Sequence, residues 1–106
     1  DGARVLNEYL RTLNCRKHII IGMMKNKDHE KYIRYFNDVY SITTVDIPNQ
    51  QNAISGKNLE KKFNNLSNVK YKKNIVDAIK SINFVEGDLL LITGSFYLCS
   101  EVLKIN

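Results

Sequence analysis

Two short stretches of this chain carry residue types that can do chemistry at the end of a strand. In Leu89–Lys104, LLLITGSFYLCSEVLK, four large aliphatics run into Thr93, Gly94 and Ser95. A glycine there lets the backbone turn sharply, and Ser95 can cap a following helix while presenting its hydroxyl to a polar ligand. In Gly22–Glu30, GMMKNKDHE, Gly22 permits a tight exit, Lys25 and Lys27 supply positive charge, and Asp28 opens the next helix. A lysine so placed reaches a phosphate or a carboxylate as a mobile point charge. Each stretch also has a plain reading: a corner that only reverses the chain, and lysines that are only solvated.

Other chemistries lack their patterns. No GxxxxGK[ST] phosphate loop, GxGxxG turn, GxSxG elbow, HExxH pair or EF-hand loop occurs in the sequence. His18 begins a strand and His29 falls in a helix first turn. Neither shows a catalytic Ser, Cys or carboxylate partner at short range, so both read as structural. Cys15 and Cys99 have neither CxxC spacing nor a histidine at metal-ligand spacing, and read as buried or half-buried free thiols.

The elements that must position these corners follow from apolar spacing. Val5, Leu6, Tyr9, Leu10 and Leu13 form the stripe of an amphipathic helix over Asp1–Asn14. HIIIG at His18–Gly22 is a β-branched run ended by glycine, a strand buried on both faces. Asp28 caps a helix reaching about Asp38, with Tyr32, Ile33 and Phe36 inward. YSITTVDI at Tyr40–Ile47 is a strand nearer the sheet edge, ended by Pro48. PNQQNAISG is the longest polar loop, and Lys57–Leu66 a helix with Leu59 and Phe63 inward. A brief strand at Asn68–Tyr71 precedes a helix over Asn74–Ile82 with Ile75, Val76, Ile79 and Ile82 on one face. Glu86–Asp88 then turns the chain into Leu89–Ile92, and a last helix follows Ser95. Helix and strand alternate throughout, which predicts an α/β domain with a mostly parallel sheet and helices on both faces. Its first element is a helix where such a domain usually opens with a strand, so the chain is expected to be a fragment.

Composition narrows the classes further. The 106 residues fit one domain, and 43% apolar with 25% charged residues describes an ordinary globular protein. No apolar run approaches the ~20 residues that span a bilayer, and Asp1–Leu10 lacks the parts of a signal peptide, so the expectation is cytoplasmic. The net charge of +5 suits an anionic partner without choosing one. The densest basic run, NVKYKKN at Asn68–Asn74, is short and reads as a solvated loop before a helix, so no nucleic-acid partner is expected.

Taken together, the two corners resemble the folylpolyglutamate synthase/dihydrofolate synthase family. IGMMKNKD at Ile21–Asp28 is similar to that family's strand exit, where a Gly-Met/Ala-Leu/Met segment precedes a Lys-Asp pair. VDIPNQQNAISGKNLEK at Val45–Lys61 resembles its strand, Ile-Pro loop and Ala-x-Ser segment. LLLITGSFYLCSEVLK resembles its closing strand, Gly-Ser-hydrophobic-Tyr-Leu turn and final helix. The order is kept over nearly the whole chain.

The resemblance implies a single unit over Asp1–Asn106, the C-terminal domain of a Mur-ligase-type enzyme. This is a Rossmann-like three-layer domain, here without its first strand, that closes over a separate N-terminal ATPase domain carrying the phosphate loop. It implies ATP-dependent ligation, with ATP and Mg²⁺ bound mainly outside this chain. A folate or dihydropteroate carboxylate becomes an acyl phosphate, and the amine of L-glutamate attacks it. The resemblance further implies that Ser95, with the backbone N–H groups of Phe96 and Tyr97, holds the glutamate carboxylate. Lys27 and Asp28 match the Lys-Asp pair at the nucleotide or interdomain cleft. Arg4 stands where the family's motif histidine would be, so no role passes to Asp1, Gly2 or Ala3, and no catalytic or metal-binding residue is expected in this chain, which alone would be inactive. Two alternatives stay open: a free-standing Rossmann-like module that binds a nucleotide or anionic partner, and another Mur-type ligase acting on a cell-wall precursor.

Overall fold

Parallel strands bury both faces, and the first strand is built for that. In a computed structural model, β1 (Lys17–Gly22) places Ile19, Ile20 and Ile21 in succession with no exposed surface. Successive side chains point to opposite faces, so three consecutive buried isoleucines need cover on both sides. Burying each of them fully stabilises the fold by about 1.5–3 kcal/mol. The structure describes residues 8, 11–36, 38–63, 66, 68–94 and 101–104.

After β1 come α1 (His29–Ile33), β2 (Ser41–Thr44), α2 (Gly56–Lys62), β3 (Val69–Tyr71), α3 (Ile75–Ser81), β4 (Leu89–Gly94) and β5 (Glu101–Lys104). The sheet order is β3-β2-β1-β4-β5. The first four of these strands in space are parallel to one another, and β5 runs antiparallel to β4. This is the expected Rossmann-like α/β architecture: a parallel sheet with helices on both faces.

Each face has its own core. Ile19, Ile21, Leu89 and Leu91 point to one face, where α1 brings Ile33, a 3₁₀ turn brings Phe36, and α2 and its C-cap bring Leu59 and Phe63. Ile20, Leu90 and Ile92 point to the other, where α3 brings Ala78 and its C-cap Ile82. The chain therefore builds outward from β1 over one face, then returns beneath the sheet through α3 to set β4 on the far side of β1.

Side-chain caps start each helix. The Asp28 carboxylate accepts from the Lys31 N–H at 3.1 Å, the Ser55 hydroxyl from the Asn58 N–H at 3.2 Å, and the Asn74 side chain from the Asp77 N–H at 2.8 Å. Each satisfies a donor that the first turn leaves without an intrahelical partner.

Several expectations need correction. The helix begun by Asp28 stops at Ile33 and tightens into a 3₁₀ turn over Arg34–Phe36 rather than reaching Asp38. Residues three apart eclipse in that geometry, which keeps Phe36 on the same side as Ile33. The strand expected over Tyr40–Ile47 is shorter, Ser41–Thr44, and α2 ends at Lys62 rather than Leu66. In α3 the inner residues are Ala78 and Ile82 with Ile75 beside them, while Val76 and Ile79 are exposed. The branched residues marked the wrong face: the small Ala78 packs among Ile20, Val45, Leu90 and Ile92 instead.

The chain after Ser95 does not end in the expected helix at Glu101–Lys104. Those residues pair with β4 in the register Leu89↔Lys104 and Ile92↔Glu101. Short apolar runs fit either period, and pairing supplies partners to backbone groups of β4 that a helix would leave open. The amphipathic stretch of Val5, Leu6, Tyr9 and Leu10 lies outside the described residues. Leu13 and the free thiol Cys15 pack partly buried against the α1–α2 core, and Cys99 lies outside the described residues.

The phase of α3 is testable by chemical denaturation. Ala78→Leu, which forces a larger side chain between helix and sheet, lowers the unfolding free energy by about 1–3 kcal/mol. Val76→Lys, on the exposed side, changes it by less than about 0.5 kcal/mol.

Candidate functional site

Strand order alone marks one end of the sheet. The chain reverses direction between β1 and β4, and in open α/β sheets ligands bind beyond the carboxyl ends of the strands at such a switch point. Here Gly22 and Gly94, the last residues of the two strands, are register partners. Gly94 has φ +150°, and a Cβ on it would collide with the Gly22 carbonyl oxygen. Only glycine fits there, so the two backbones approach without side chains between them.

The loops leaving this end are tied together. The Lys25 N–H donates to the Asn52 carbonyl at 2.6 Å, the Ile54 N–H donates to the Met23 carbonyl at 3.0 Å, and Met24 bridges Ala53. The loop after β1 is thereby strapped to the loop after β2. A further tie joins α1 to β4: the Tyr32 and Thr93 hydroxyls lie 2.6 Å apart, one residue before Gly94. Burial pushes the Tyr32 phenol above its ordinary pKa, so it remains protonated in this contact. Asp46 closes the outer side, accepting from the Gly56 N–H and the Tyr71 hydroxyl, each at 2.7 Å.

Of the residues singled out in the sequence, Lys27 and Asp28 lie in the exposed loop after β1. Asp28 caps α1, as expected. Lys25 and Lys27 are exposed at this end of the sheet, where their charge is available to an anion. Ser95, Phe96 and Tyr97 lie outside the described residues, and follow Gly94 directly in the chain. His29 is buried with its Nε2 2.7 Å from the Met24 carbonyl, a structural role as expected.

The opposite, amino end of the sheet holds a constellation not legible in the sequence. The Asp88 carboxylate accepts two hydrogen bonds from the Arg16 guanidinium at 2.9 and 3.0 Å, one from His18 Nε2 at 2.8 Å and one from the Val85 N–H at 3.0 Å. His18 Nδ1 lies 2.7 Å from the Ser41 hydroxyl. His18 and Asp88 are almost wholly buried. His18 has no Ser or carboxylate partner at short range in the sequence, as expected, but the fold supplies a serine and a carboxylate from 23 and 70 residues away. Parallel pairing aligns His18 with Ser41, and Asp88 immediately precedes β4, whose first residue, Leu89, pairs with Lys17. The available signal was a polar residue opening each of two buried strands, since buried polar groups require partners.

Electrostatically, the Arg16 hydrogen bonds outweigh burial and hold the Asp88 carboxyl well below the usual carboxylate range; the Val85 and His18 donors act in the same direction. Arg16 is raised in turn, first by that same hydrogen bond. The guanidinium also lies 4.0 Å from the Tyr40 ring centroid, a cation–π contact.

Among the described residues no group of three or more His, Cys, Asp or Glu side chains is arranged to hold a metal ion. No helix among them is long and apolar enough to cross a membrane. Compared with protein-family models, curated proteins and solved structures, the chain matches none.

Two outcomes follow. Gly94→Ala destabilises the fold by about 2 kcal/mol or more, read as a lower denaturation midpoint at unchanged slope, because both the clash and the backbone angle oppose it. A carboxyl whose folded pKa lies below its unfolded value of about 3.9 contributes stability that is complete above that value and lost as pH falls toward the folded one. Asp88→Asn therefore lowers Tm by several degrees at pH 7, and the difference from wild type narrows steadily between about pH 5 and pH 2. A constant difference across that range would show that ionised Asp88 is not the source.

Proposed function

We propose that this chain is the C-terminal domain of a cytoplasmic ATP-dependent amide ligase of the folylpolyglutamate synthase/dihydrofolate synthase type, within the Mur ligase superfamily. One observation carries the reading: β1 and β4 pair at the topological switch point with Gly22 opposite Gly94. The two stretches that resemble the family's motifs, Ile21–Asp28 and Leu89–Lys104, thus run through neighbouring strand ends, although they stand almost 70 residues apart in the sequence. The tied loops after β1 and β2 support it further, since they hold a rigid rim at that end.

In this reading the rim faces a separate ATPase domain, and the chain's own task is to hold the incoming amino acid. The Ser95 hydroxyl, with the backbone N–H groups of Phe96 and Tyr97, binds a carboxylate of L-glutamate by charge-assisted hydrogen bonds. Lys27 turns its ammonium toward the nucleotide side of the cleft, and Asp28 keeps that loop in place by capping α1. ATP converts a folate or dihydropteroate carboxyl into an acyl phosphate, whose phosphate the glutamate amine displaces to form the amide. In this reading ATP and Mg²⁺ are held chiefly by the ATPase domain, as the resemblance implies.

The test uses the full-length enzyme. Ser95→Ala raises KM for glutamate by about tenfold or more, the cost of one hydrogen bond to a charged group, and leaves KM for ATP nearly unchanged. Equal effects on both substrates, or none, would remove Ser95 from the glutamate site. An upstream coding region with an Ala-His-Asn-Pro segment after a phosphate-loop domain is expected. A start codon near Asp1 would favour a free-standing module that binds a nucleotide or anion without catalysis.

A further inference from the structure

We propose that Ser41 is an activated nucleophile, with His18 as its base and Asp88 as the group that orients His18, acting on small activated acyl or phosphonyl compounds at the amino end of the sheet. This inference is independent of the ligase reading, which concerns the opposite end.

The donors around Asp88 fix where the protons must sit. Ionised Asp88 only accepts, and it takes its donors from Arg16, Val85 and His18. The His18 nitrogen facing it, Nε2, must therefore carry the proton. In the neutral ring this leaves a lone pair on Nδ1, 2.7 Å from the Ser41 oxygen. Ser41 is then the donor, and its proton already points at a base. Serine–base–carboxylate relays are recognised by these roles rather than by chain order; here the ring is turned so that Nδ1 faces the serine and Nε2 the carboxylate.

The base is also held still. The rings of Tyr40 and Phe84 meet His18 edge-on at centroid distances of 5.4 and 5.0 Å, and the imidazole is nearly inaccessible to water. A purely structural histidine could satisfy its second nitrogen with a buried group. Here the second partner is the half-buried Ser41, which lines an open groove with Tyr40, Asn68, Val69 and Lys70. Lys70 also lines that groove, and its ammonium, which donates to the Ser81 carbonyl at 2.9 Å, has two further N–H donors that a developing oxyanion could use.

The step balances without a cofactor. The Ser41 O–H bond breaks and its proton passes to His18 Nδ1 while the oxygen bonds to the acyl carbon or to phosphorus. The bond to the leaving group then breaks, releasing an alcohol or phenol that recovers the proton, or fluoride when the electrophile is a fluorophosphonate. Water, deprotonated by the same histidine, can later release the acyl group.

The test treats the full chain with an alkyl fluorophosphonate and maps the adduct by peptide mass spectrometry. One adduct per chain on Ser41 is expected, absent in Ser41→Ala, with labelling slowed at least about 100-fold in His18→Gln. Should His18→Gln fail to give a cooperative thermal transition, p-nitrophenyl acetate provides the second measurement. Wild type is expected to release one equivalent of p-nitrophenol in a burst that prior fluorophosphonate treatment and Ser41→Ala both abolish. Absence of any adduct on wild type, labelling that persists at the same rate in folded His18→Gln, or an unaltered burst in Ser41→Ala would overturn the proposal.

Discussion

The Asp88 carboxylate collects four hydrogen bonds from Arg16, His18 and the Val85 amide, and with them it fixes the level at which three parallel strands begin. His18, second in β1, touches Ser41, the first residue of β2, while Asp88 leads into β4. Parallel strands far apart in sequence have no hairpin to set their register, so something must penalise a slip. Here a slip would leave a buried carboxylate and imidazole without partners and separate the half-buried Arg16 guanidinium from the carboxylate, which is far costlier than misplacing one aliphatic side chain.

With register fixed, hydrophobic alternation does the remaining work. Because Ile19 and Ile21 serve one face and Ile20 the other, β1 can only be central, and both helical layers become obligatory. Leu89–Ile92 imposes the same requirement on β4. The helices are short and capped, which suits elements whose stability comes from packing against a sheet rather than from their own length. Ala78 illustrates the constraint, for it sits fully buried against the sheet, while the branched Val76 stays in solvent.

The two ends of the sheet then acquire different characters. At the amino end, charged and polar groups are used up in a buried network, with Ser41 as its outlet toward a groove. At the carboxyl end, side chains are removed where Gly22 meets Gly94, and backbone bonds hold the diverging loops. The first arrangement fixes groups in place; the second leaves backbone and exposed lysines free to meet a ligand.

Much of this was legible in the residues. The β-branched run His18–Gly22, the cap Asp28, the inward Leu59 and Phe63, and the helix–strand alternation determine a parallel α/β sheet with helices on both faces, since these are local choices of period and capping. The Gly-Ser corner after Leu89–Ile92 was visible as a strand exit, and so was the basic exit after β1. What only the tertiary structure decided is which distant residues share a level: that Gly22 faces Gly94, that His18 lies between Ser41 and Asp88, and that Glu101–Lys104 pairs as a strand. Periodicity reports which side of an element is buried, but hydrogen-bond partners 23 to 72 residues apart depend on strand order and register, and these are set only when the whole sheet assembles.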